Sequence, residues 1–207
     1  KTDFGAVGNG VANDYTSVQA AIDAAAFGGK AVYFPAGTYL VGTGLVLKPY
    51  VKLYSHGDAQ IKWNGGAGTV ISSSTSTTLN EAGIIGIDID SVDATKAIDL
   101  YSPYQCQFRN ILIDSNSATQ VVVDIHTNTS GGTNPNSNRN AVFNLFDSVL
   151  QNGTCGTLLR LEGAGPIGGP ATSVVTLNTF VHMNASGCHV RGIDFVQWAD
   201  SNTFVGM

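Results

Sequence analysis

The phrase NTFV occurs at residues 202–205 and also at residues 178–181, twenty-four positions earlier. Similar phrases, in which an asparagine precedes apolar residues, begin at Asn144 and Asn110, so successive spacings are 34, 34 and 24 residues. A sequence that repeats at such a period is typical of proteins built from stacked units, each in contact only with its neighbours. The repeated phrase therefore predicts a solenoid with a basic coil of about 24 residues.

A second set of short segments alternates with the first along the chain. In each segment apolar and polar residues alternate with period two, as in half-buried strands. The connections are too short, and too rich in Gly, Asn and Ser, for helical crossovers. These observations predict an all-β fold, a parallel β-helix in which each coil lays one strand on each of two stacked sheets, with a Greek-key sandwich as the alternative. The segments are residues 98–100, 123–125, 159–161 and 193–195.

The first 50 residues have a different pattern, which indicates one helix. Thr16 and Gln19 have the spacing of a capping box, and Gly28 supplies a stop, so we expect a helix over about 16–27. Laid across the exposed apolar end of the coils, it removes that surface from water. We therefore divide the chain into an N-terminal cap with the first coils (1–50) and the remaining coils (51–207). The apolar face of the helix is formed by Val18, Ala21, Ile22 and Ala25.

Charge and composition exclude several classes of protein. The chain has 207 residues, a net charge of −5 and only 10 Lys and Arg residues without a basic cluster, so nucleic acid is not an expected partner. No apolar run approaches the roughly 20 residues of a membrane-spanning helix. Cys106, Cys155 and Cys188 are too few and too far apart for a disulfide framework or a zinc site, and we expect buried free thiols.

Residues 3–10 (DFGAVGNG), 18–22 and 32–41 (VYFPAGTYLV) closely resemble the N-terminal signature of the pectate-lyase-like superfamily. This resemblance implies a right-handed parallel β-helix with an N-terminal capping helix. The signature heads bacteriophage tailspikes that bind and cut bacterial surface polysaccharides, and also secreted polysaccharide hydrolases and lyases. The resemblance therefore implies a carbohydrate partner and a polysaccharide depolymerase, either a glycoside hydrolase or a polysaccharide lyase.

Low charge and loops rich in Asn, Ser and Thr make the chain most similar to a phage tailspike. That resemblance implies a homotrimer, other phage tail or baseplate proteins as partners, and a location in the virion or otherwise outside the cell. The Asn-Thr-Asp, Asp-Asp, Gly-His-Gly and Arg-Ile-Lys motifs of polygalacturonases do not occur. No acidic stack suits the calcium ions of pectate lyases, and we expect neither a metal nor a cofactor. A secreted hydrolase or lyase, and a non-catalytic adhesin or structural tail protein, remain the alternatives.

Candidate catalytic residues lie at outward positions of the second set of strands. Stacking the coils places Asp124, Arg160 and Asp194 in one column and Glu162 diagonal to both aspartates, at a Cα separation of about 8 Å. Such carboxyl pairs suit glycoside hydrolysis. We expect Asp124 or Glu162 to act as general acid and another carboxylate as base, while Arg160 binds substrate. The alternative is a charge ladder on a solvated face, in which Arg160 separates two aspartates.

Two coils are lengthened at the same corner, by residues 127–139 and 163–172. Insertions in a solenoid project from one side, which is often the binding side, although they are also tolerated as surface decoration. His126 and Glu162 lie at the roots of these loops. Near the same corner, aromatic side chains offer flat faces for sugar rings, or else pack beneath the loops. The predicted substrate-binding residues are His126, Arg160, Tyr101, Tyr104 and Trp198.

The last residues resemble the start of a further coil. No capping helix or polar closing turn follows Val205, so we expect the sequence to be a piece of a longer protein. In that case the catalytic carboxylates lie either in the grid described above, beyond Met207, or across a subunit boundary.

Overall fold

The computed structural model describes residues 3–127, 141–163, 175–184, 187–197 and 199–206. This part of the chain contains one helix and nineteen strands. No helix among these described residues is long and apolar enough to cross a membrane. In chain order the elements are β1 (Asn9–Asn13), α1 (Tyr15–Ala26), β2 (Ala31–Tyr33), β3 (Gly37–Val41), β4 (Leu45–Leu47), β5 (Lys52–Trp63), β6 (Thr69–Ser73), β7 (Leu79–Asn80), β8 (Gly83–Asp90), β9 (Lys96–Tyr101), β10 (Pro103–Tyr104), β11 (Gln107–Asn116), β12 (Val121–His126), β13 (Ala141–Val142), β14 (Leu145–Glu162), β15 (Val175–Thr176), β16 (Thr179–Val181), β17 (Cys188–Gln197), β18 (Ala199–Asp200) and β19 (Thr203–Val205).

Every pairing between these described strands is parallel, which confirms the predicted parallel β-helix. The strands form three sheets rather than the two predicted. Sheet A contains β1, β2, β3, β5, β8, β11, the first half of β14, β16 and β19. Sheet B contains β4, β6, β9, β12, the second half of β14 and β17. Sheet C, which the sequence pattern did not reveal because its strands are only two residues long, contains β7, β10, β13, β15 and β18.

A stack of phenylalanines inside the coils defines the register. Phe108, Phe146, Phe180 and Phe204 lie one above another with ring centroids 4.7, 5.1 and 4.9 Å apart. These distances match the spacing of about 4.8 Å between neighbouring strands. The predicted alignment of Asn110 with Asn144 is therefore wrong by four residues.

Cys106 occupies the position that asparagine fills in the next three coils. Its backbone N–H donates to the amide oxygen of Asn144, 38 residues later. Asn144 in turn binds Asn178, and Asn178 binds Asn202, each through backbone and side-chain N–H groups. The predicted alignment of asparagines is thus confirmed for Asn144, Asn178 and Asn202, which form a hydrogen-bonded ladder. Asn110 lies outside it, at an exposed bend of sheet A with φ 52°.

The helix packs on the first coil as predicted, but its N-terminus differs. Val18, Ala21, Ile22 and Ala25 are its buried residues. The N-cap is Asp14 rather than Thr16, and the Asp14 carboxylate accepts hydrogen bonds from the backbone N–H groups of Val7 and Gly8. Gln19 bonds the backbone of Val46 on β4 instead of completing a capping box. Tertiary contacts with the first coil therefore replace the predicted local cap.

The prediction of three free thiols is wrong for two cysteines. Cys155 on β14 and Cys188 on β17 form a disulfide, whereas Cys106 is free and buried. The two bonded residues are 33 positions apart in sequence but are register partners on neighbouring strands. The coiling of the chain therefore places two cysteines side by side although they are far apart in the sequence.

Candidate functional site

The predicted column of charges lies on sheet B with the expected register. Asp124 is paired with Asp99 on one side and with Arg160 on the other, and Arg160 is paired with Asp194. His126, two residues beyond Asp124, lies between Tyr101 and Glu162 in the adjacent column. The register departs from the prediction at a bulge after Leu161. There Glu162 pairs with Gln197 rather than with residue 196. Strand alternation thus brings together the predicted carboxylates, guanidinium and imidazole.

Asp124 is fully buried, whereas the sequence pattern placed it on a solvated face. Three cationic side chains cover it: Arg160 donates from Nε to Oδ1 at 2.9 Å and from Nη2 to Oδ2, Lys96 Nζ lies 2.7 Å from Oδ2, and His126 Nε2 lies 3.0 Å from Oδ2. Burial alone would raise the pKa of Asp124, but the hydrogen bonds from His126, Arg160 and Lys96 outweigh it and lower this pKa well below its usual range. Asp124 therefore stays ionised at neutral pH.

Lys96 is a member of this cluster that the sequence analysis missed. Its ammonium lies 2.9 Å from Asp99 Oδ2 and 2.7 Å from Asp124 Oδ2. Lys96 has the same parity as the inward residues Ile98 and Leu100, so strict alternation would direct its side chain into the core. Its side chain nevertheless lies on the outer face of the sheet, where the ammonium reaches both aspartates. A lysine three residues before an aspartate was the available sequence signal.

His126 connects the buried part of the cluster to its exposed edge. Its Nε2 lies 2.9 Å from Asp99 Oδ1 and 3.0 Å from Asp124 Oδ2, and its ring stacks on Tyr101 with centroids 4.8 Å apart. Burial lowers the pKa of His126, but the hydrogen bonds to Asp124 and Asp99 outweigh this effect and raise the pKa to about 9. The side chain is therefore an imidazolium at neutral pH, with both ring nitrogens acting as donors.

Glu162 is the solvent-exposed carboxylate of the cluster. Its Oε2 lies 3.3 Å from His126 Nδ1, and 40% of its side chain is exposed, against none of Asp124. Asp194, on the following coil, is partly buried and forms an ion pair with Arg191. Sequence reasoning did not include Arg191. The site therefore has one buried, ionised carboxylate, that of Asp124, and two carboxylates within reach of solvent, those of Glu162 and Asp194.

One predicted substrate-binding residue, Tyr104, is not part of this arrangement. Tyr104 lies on sheet C and packs edge-to-face on Phe143 with centroids 6.1 Å apart, away from the sheet B column. Trp198 lies outside the described residues, as do the two lengthened loops apart from Thr127 and Gly163. Tyr104 fell near Tyr101 in sequence, but the turn at Ser102 sends it to a different sheet.

Sheet A carries further acidic residues. Asp90 and Asp114 are register partners, and Asn152 donates a hydrogen bond to Asp114 at 2.8 Å. The pKa of Asp88 is raised by burial, and the Leu112 N–H donates to its carboxylate. These groups make no described contact with the sheet B cluster. A groove of about 560 Å³ between α1 and β2, lined by residues such as Phe4, Tyr33 and Tyr39, is also separate from it.

Three side chains of the cluster have the chemistry of metal ligands. The donor atoms of Asp99, Asp124 and His126 lie within 4.8 Å of one another. However, the Lys96 ammonium already lies against both carboxylates, and Arg160 binds the remaining oxygen of Asp124. The positive charge that a metal ion would supply is therefore provided by side chains.

Known proteins match the chain over different lengths. Over 53 residues it is 53% identical to plasmin and fibronectin-binding protein A of Streptococcus pneumoniae (strain ATCC BAA-255 / R6), which is 25% of this chain and only 7% of that protein. The solved structure of a candidate glycosyl hydrolase from Parabacteroides merdae aligns with a TM-score of 0.62 at 16% identity, covering 99% of this chain and 94% of the other. ORF18 of Geobacillus virus E2 aligns with a TM-score of 0.51 at 19% identity, covering 93% and 49%.

The two structural similarities extend over nearly the whole chain and show the fold alone, because the sequence identities are low. One family model matches residues 2–190, a much longer part of the chain than the 53-residue match above. That span includes α1, the strands of sheet B from β4 to β14, and the charge cluster up to Arg160 and Glu162. The chain belongs to the rhamnogalacturonase A/epimerase, pectate lyase-like family.

Proposed function

We propose that this chain binds a bacterial surface polysaccharide across sheet B and cleaves it by general acid–base catalysis. The observation that carries the proposal is the carboxylate of Glu162, which is held 3.3 Å from the His126 imidazolium at the exposed edge of a buried charge cluster. A carboxyl group that is anchored on one side and open to solvent on the other can exchange a proton with a bound glycan.

The residues of the cluster have different roles in this proposal. Glu162 and Asp194 form the acid–base pair, because both are accessible to solvent. Asp124 stays ionised beneath three cations and therefore positions His126 and Arg160 rather than donating a proton. Arg160 uses two of the five N–H donors of its guanidinium on Asp124, so that others can bind glycan hydroxyl or carboxylate groups.

The spacing of Glu162 and Asp194 favours hydrolysis with inversion. The two residues lie on neighbouring strands, diagonal to one another, which corresponds to a backbone separation of about 8 Å. Carboxyl pairs about 6.5–9.5 Å apart leave room for a water molecule and are typical of inverting glycosidases, whereas retaining enzymes need about 5–5.5 Å. We therefore expect a product whose anomeric configuration is opposite to that of the substrate.

The finer proposal is a phage tailspike: a homotrimer in the virion that contacts other tail or baseplate proteins during host adsorption. It is supported by the N-terminal signature and by the similarity of the fold to that of a Geobacillus virus protein. A secreted polysaccharide hydrolase or lyase of the same fold is the alternative. A sedimentation experiment distinguishes them, because the tailspike is expected to be a trimer and the secreted enzyme a monomer.

Binding without catalysis is a second candidate function. It is favoured by the pairing of Asp99, Asp124 and Asp194 with cations, which is also what a purely structural charge ladder would require. The similarity to a plasmin- and fibronectin-binding protein is compatible with this function. In that case a polysaccharide would bind, but its viscosity would not fall and no reducing ends would appear.

The decisive experiment incubates the protein with capsular and O-antigen polysaccharides and follows viscosity and reducing ends. We expect viscosity to fall and reducing ends to appear, with at least a 100-fold loss of rate in Glu162→Gln and Asp194→Asn, since acid–base catalysis contributes about 10²–10⁴. Glu81→Gln, which changes an exposed glutamate on a turn, is the matched control. Equal rates for Glu162→Gln and Glu81→Gln would overturn the assignment.

The products distinguish the reaction classes. Ultraviolet absorbance from an unsaturated sugar would indicate a lyase. Exchange of a carbon-bound sugar proton with solvent, detected by NMR without chain cleavage, would indicate an epimerase. Binding without any product would support the non-catalytic alternative.

A further inference from the structure

We propose that Lys96 is a positioning residue whose ammonium occupies a divalent-cation position, so that a metal ion can take its place when the ammonium is removed. The position lies between the carboxylates of Asp99 and Asp124 and the imidazole of His126, and these four side chains are referred to here as the Lys96 cage. The inference rests on the proposed function only where it concerns catalysis by Glu162. Its structural part stands independently.

The contacts of Lys96 resemble those of a coordinated ion. Its Nζ lies 2.9 Å from Asp99 Oδ2, 2.7 Å from Asp124 Oδ2 and 3.4 Å from His126 Nε2. An ammonium group has three donors and no acceptor, and here it contacts two carboxylates and lies beside the ring nitrogen that would become a metal ligand once deprotonated. Only 21% of the Lys96 side chain is exposed, so the charge is largely shielded from water.

The other three members of the cage form a donor set that metals use. Two carboxylate oxygens and one imidazole nitrogen within 4.8 Å of one another can bind zinc or other divalent first-row metals. No other group of this kind occurs among the described residues. The arrangement therefore resembles a metal site in which the lysine ammonium takes the place of the metal ion.

A second observation comes from the far oxygen of Asp99. Asp99 is 8% exposed, and its Oδ1 is buried without a well-formed hydrogen bond, although it makes an ion-pair contact of 2.9 Å with His126 Nε2. The single N–H at His126 Nε2 faces both Asp99 Oδ1 and Asp124 Oδ2, so it cannot satisfy both. Asp124 Oδ2 already contacts Lys96 and Arg160, whereas Asp99 Oδ1 is left as a buried acceptor without a well-formed hydrogen bond, available to a bound cation.

Lys96 is connected to Glu162 through His126. Lys96 holds the two aspartates, these aspartates hold Nε2 of His126, and Nδ1 of His126 faces Glu162 Oε2 at 3.3 Å. Without the Lys96 ammonium, less positive charge would offset the repulsion between Asp99 and Asp124 across neighbouring strands. Removal of the ammonium would therefore disturb the orientation of His126 and, through it, of Glu162.

The test uses the whole chain with Lys96→Ala and with Lys52→Ala, an exposed lysine outside the cage, as the control. We expect Lys96→Ala to lower Tm by roughly 5–10 °C, because it leaves two buried carboxylates short of a cation. Zn²⁺ should bind Lys96→Ala in calorimetry and restore most of the lost Tm. It should bind neither the parent chain nor Lys52→Ala with comparable affinity. Co²⁺, used as a spectroscopic probe, should give visible absorption in Lys96→Ala alone.

Asp99→Asn added to Lys96→Ala removes one ligand and should abolish Zn²⁺ binding. If Lys96→Ala folds only in the presence of Zn²⁺, the inference is supported as well; if it fails to fold with or without the ion, it is overturned. Absence of Zn²⁺ and Co²⁺ binding, or equal binding by the parent chain, would also overturn it.

The effect of Lys96 on catalysis is measured separately, on any polysaccharide that the parent chain cleaves. Lys96→Ala should lower kcat at least tenfold with little change in KM, and both Zn²⁺ and the substitution Lys96→Arg should restore part of the loss. Metal binding without any effect on kcat would refute the positioning role. If no polysaccharide is cleaved by the parent chain, the proposed function fails, while the metal-binding result still decides the nature of the cage.

Discussion

The imidazole of His126 is subject to two opposing effects. Burial favours its neutral form, whereas the carboxylates of Asp99 and Asp124 favour its charged form, and the second effect prevails because both contacts are about 3 Å long. Other charged or titratable groups also face the imidazole: Lys96 and Tyr101, both on β9, and Glu162 on β14. The charge of this ring therefore depends on the whole cluster.

This balance predicts a stability that falls in mildly alkaline solution. The pKa of His126 is about 9 in the folded chain and about 6.5 when unfolded, so its contribution is fully present below pH 6.5 and is lost as the pH rises through 9. The difference corresponds to about 3 kcal/mol of unfolding free energy. Urea unfolding at several pH values should show this slope in the parent chain and a much weaker slope in His126→Gln.

His189→Gln is the control for that prediction, because His189 is an exposed histidine on the same sheet. It should retain the pH dependence of the parent chain. Identical alkaline slopes for the parent chain and His126→Gln would contradict the assigned imidazolium.

The residues of the cluster were predictable to the extent that strand alternation applies. Asp124, Arg160 and Asp194 stand at equivalent positions of successive alternating segments, so their column followed from the pattern. The burial of Asp124 did not, because it depends on Lys96 and His126 folding over it from either side. A period-two pattern assigns a side chain to a face but does not show whether its neighbours cover it.

At the scale of elements, the coils are held in register by stacked internal side chains. Asn178 is fully buried and satisfies several backbone and side-chain groups: it donates to Ala141 O and Asn202 Oδ1 and accepts from the backbone and side-chain N–H groups of Asn144. Asn144 and Asn178 thus each bond the coil before and the coil after them. These bonds compensate for burying polar groups inside the helix.

Asn178→Ala is therefore expected to destabilise the chain strongly. It removes an amide NH₂ group that donates two hydrogen bonds and an amide oxygen that accepts two, and it leaves their buried partners unsatisfied, at a cost of about 1–3 kcal/mol for each unsatisfied group. Asn110→Ala is the matched control, since Asn110 is exposed and outside the ladder, and should cost less than about 2 kcal/mol through its positive φ alone. Equal losses of unfolding free energy in the two variants would favour the alignment based on Asn110.

The same ladder shows why the register was predicted only in part. Spacings of 34 and 24 residues followed from asparagines that are present, namely Asn144, Asn178 and Asn202. One coil earlier the position is filled by Cys106, whose backbone alone joins the ladder, and a nearby Asn110 was taken for the missing member. Polar residues mark a register only where each coil retains them, whereas the phenylalanine stack continues through all four coils.

The whole molecule is a row of coils, each in contact chiefly with the coils beside it. Stability in such a protein is approximately a sum of terms for single coils and for their interfaces. The disulfide between Cys155 and Cys188 links β14 to β17 and closes a loop with a sequence separation of 33. Its stabilising effect should therefore be felt mainly in the coils that it joins.

Hydrogen exchange can test this locality. Replacing Cys155 and Cys188 by alanine should cost about 3–4 kcal/mol, the value expected for closing a loop of this size, and should speed exchange in β17 and the second half of β14 on the order of 100-fold. Exchange in β3, β5 and β8 should change little, because several coils separate these strands from the disulfide. Reductant should reproduce the effect in the parent chain and leave the double variant unchanged. Equal acceleration in all strands would instead mean that the chain unfolds as one cooperative unit, and additivity of the coils would have to be abandoned.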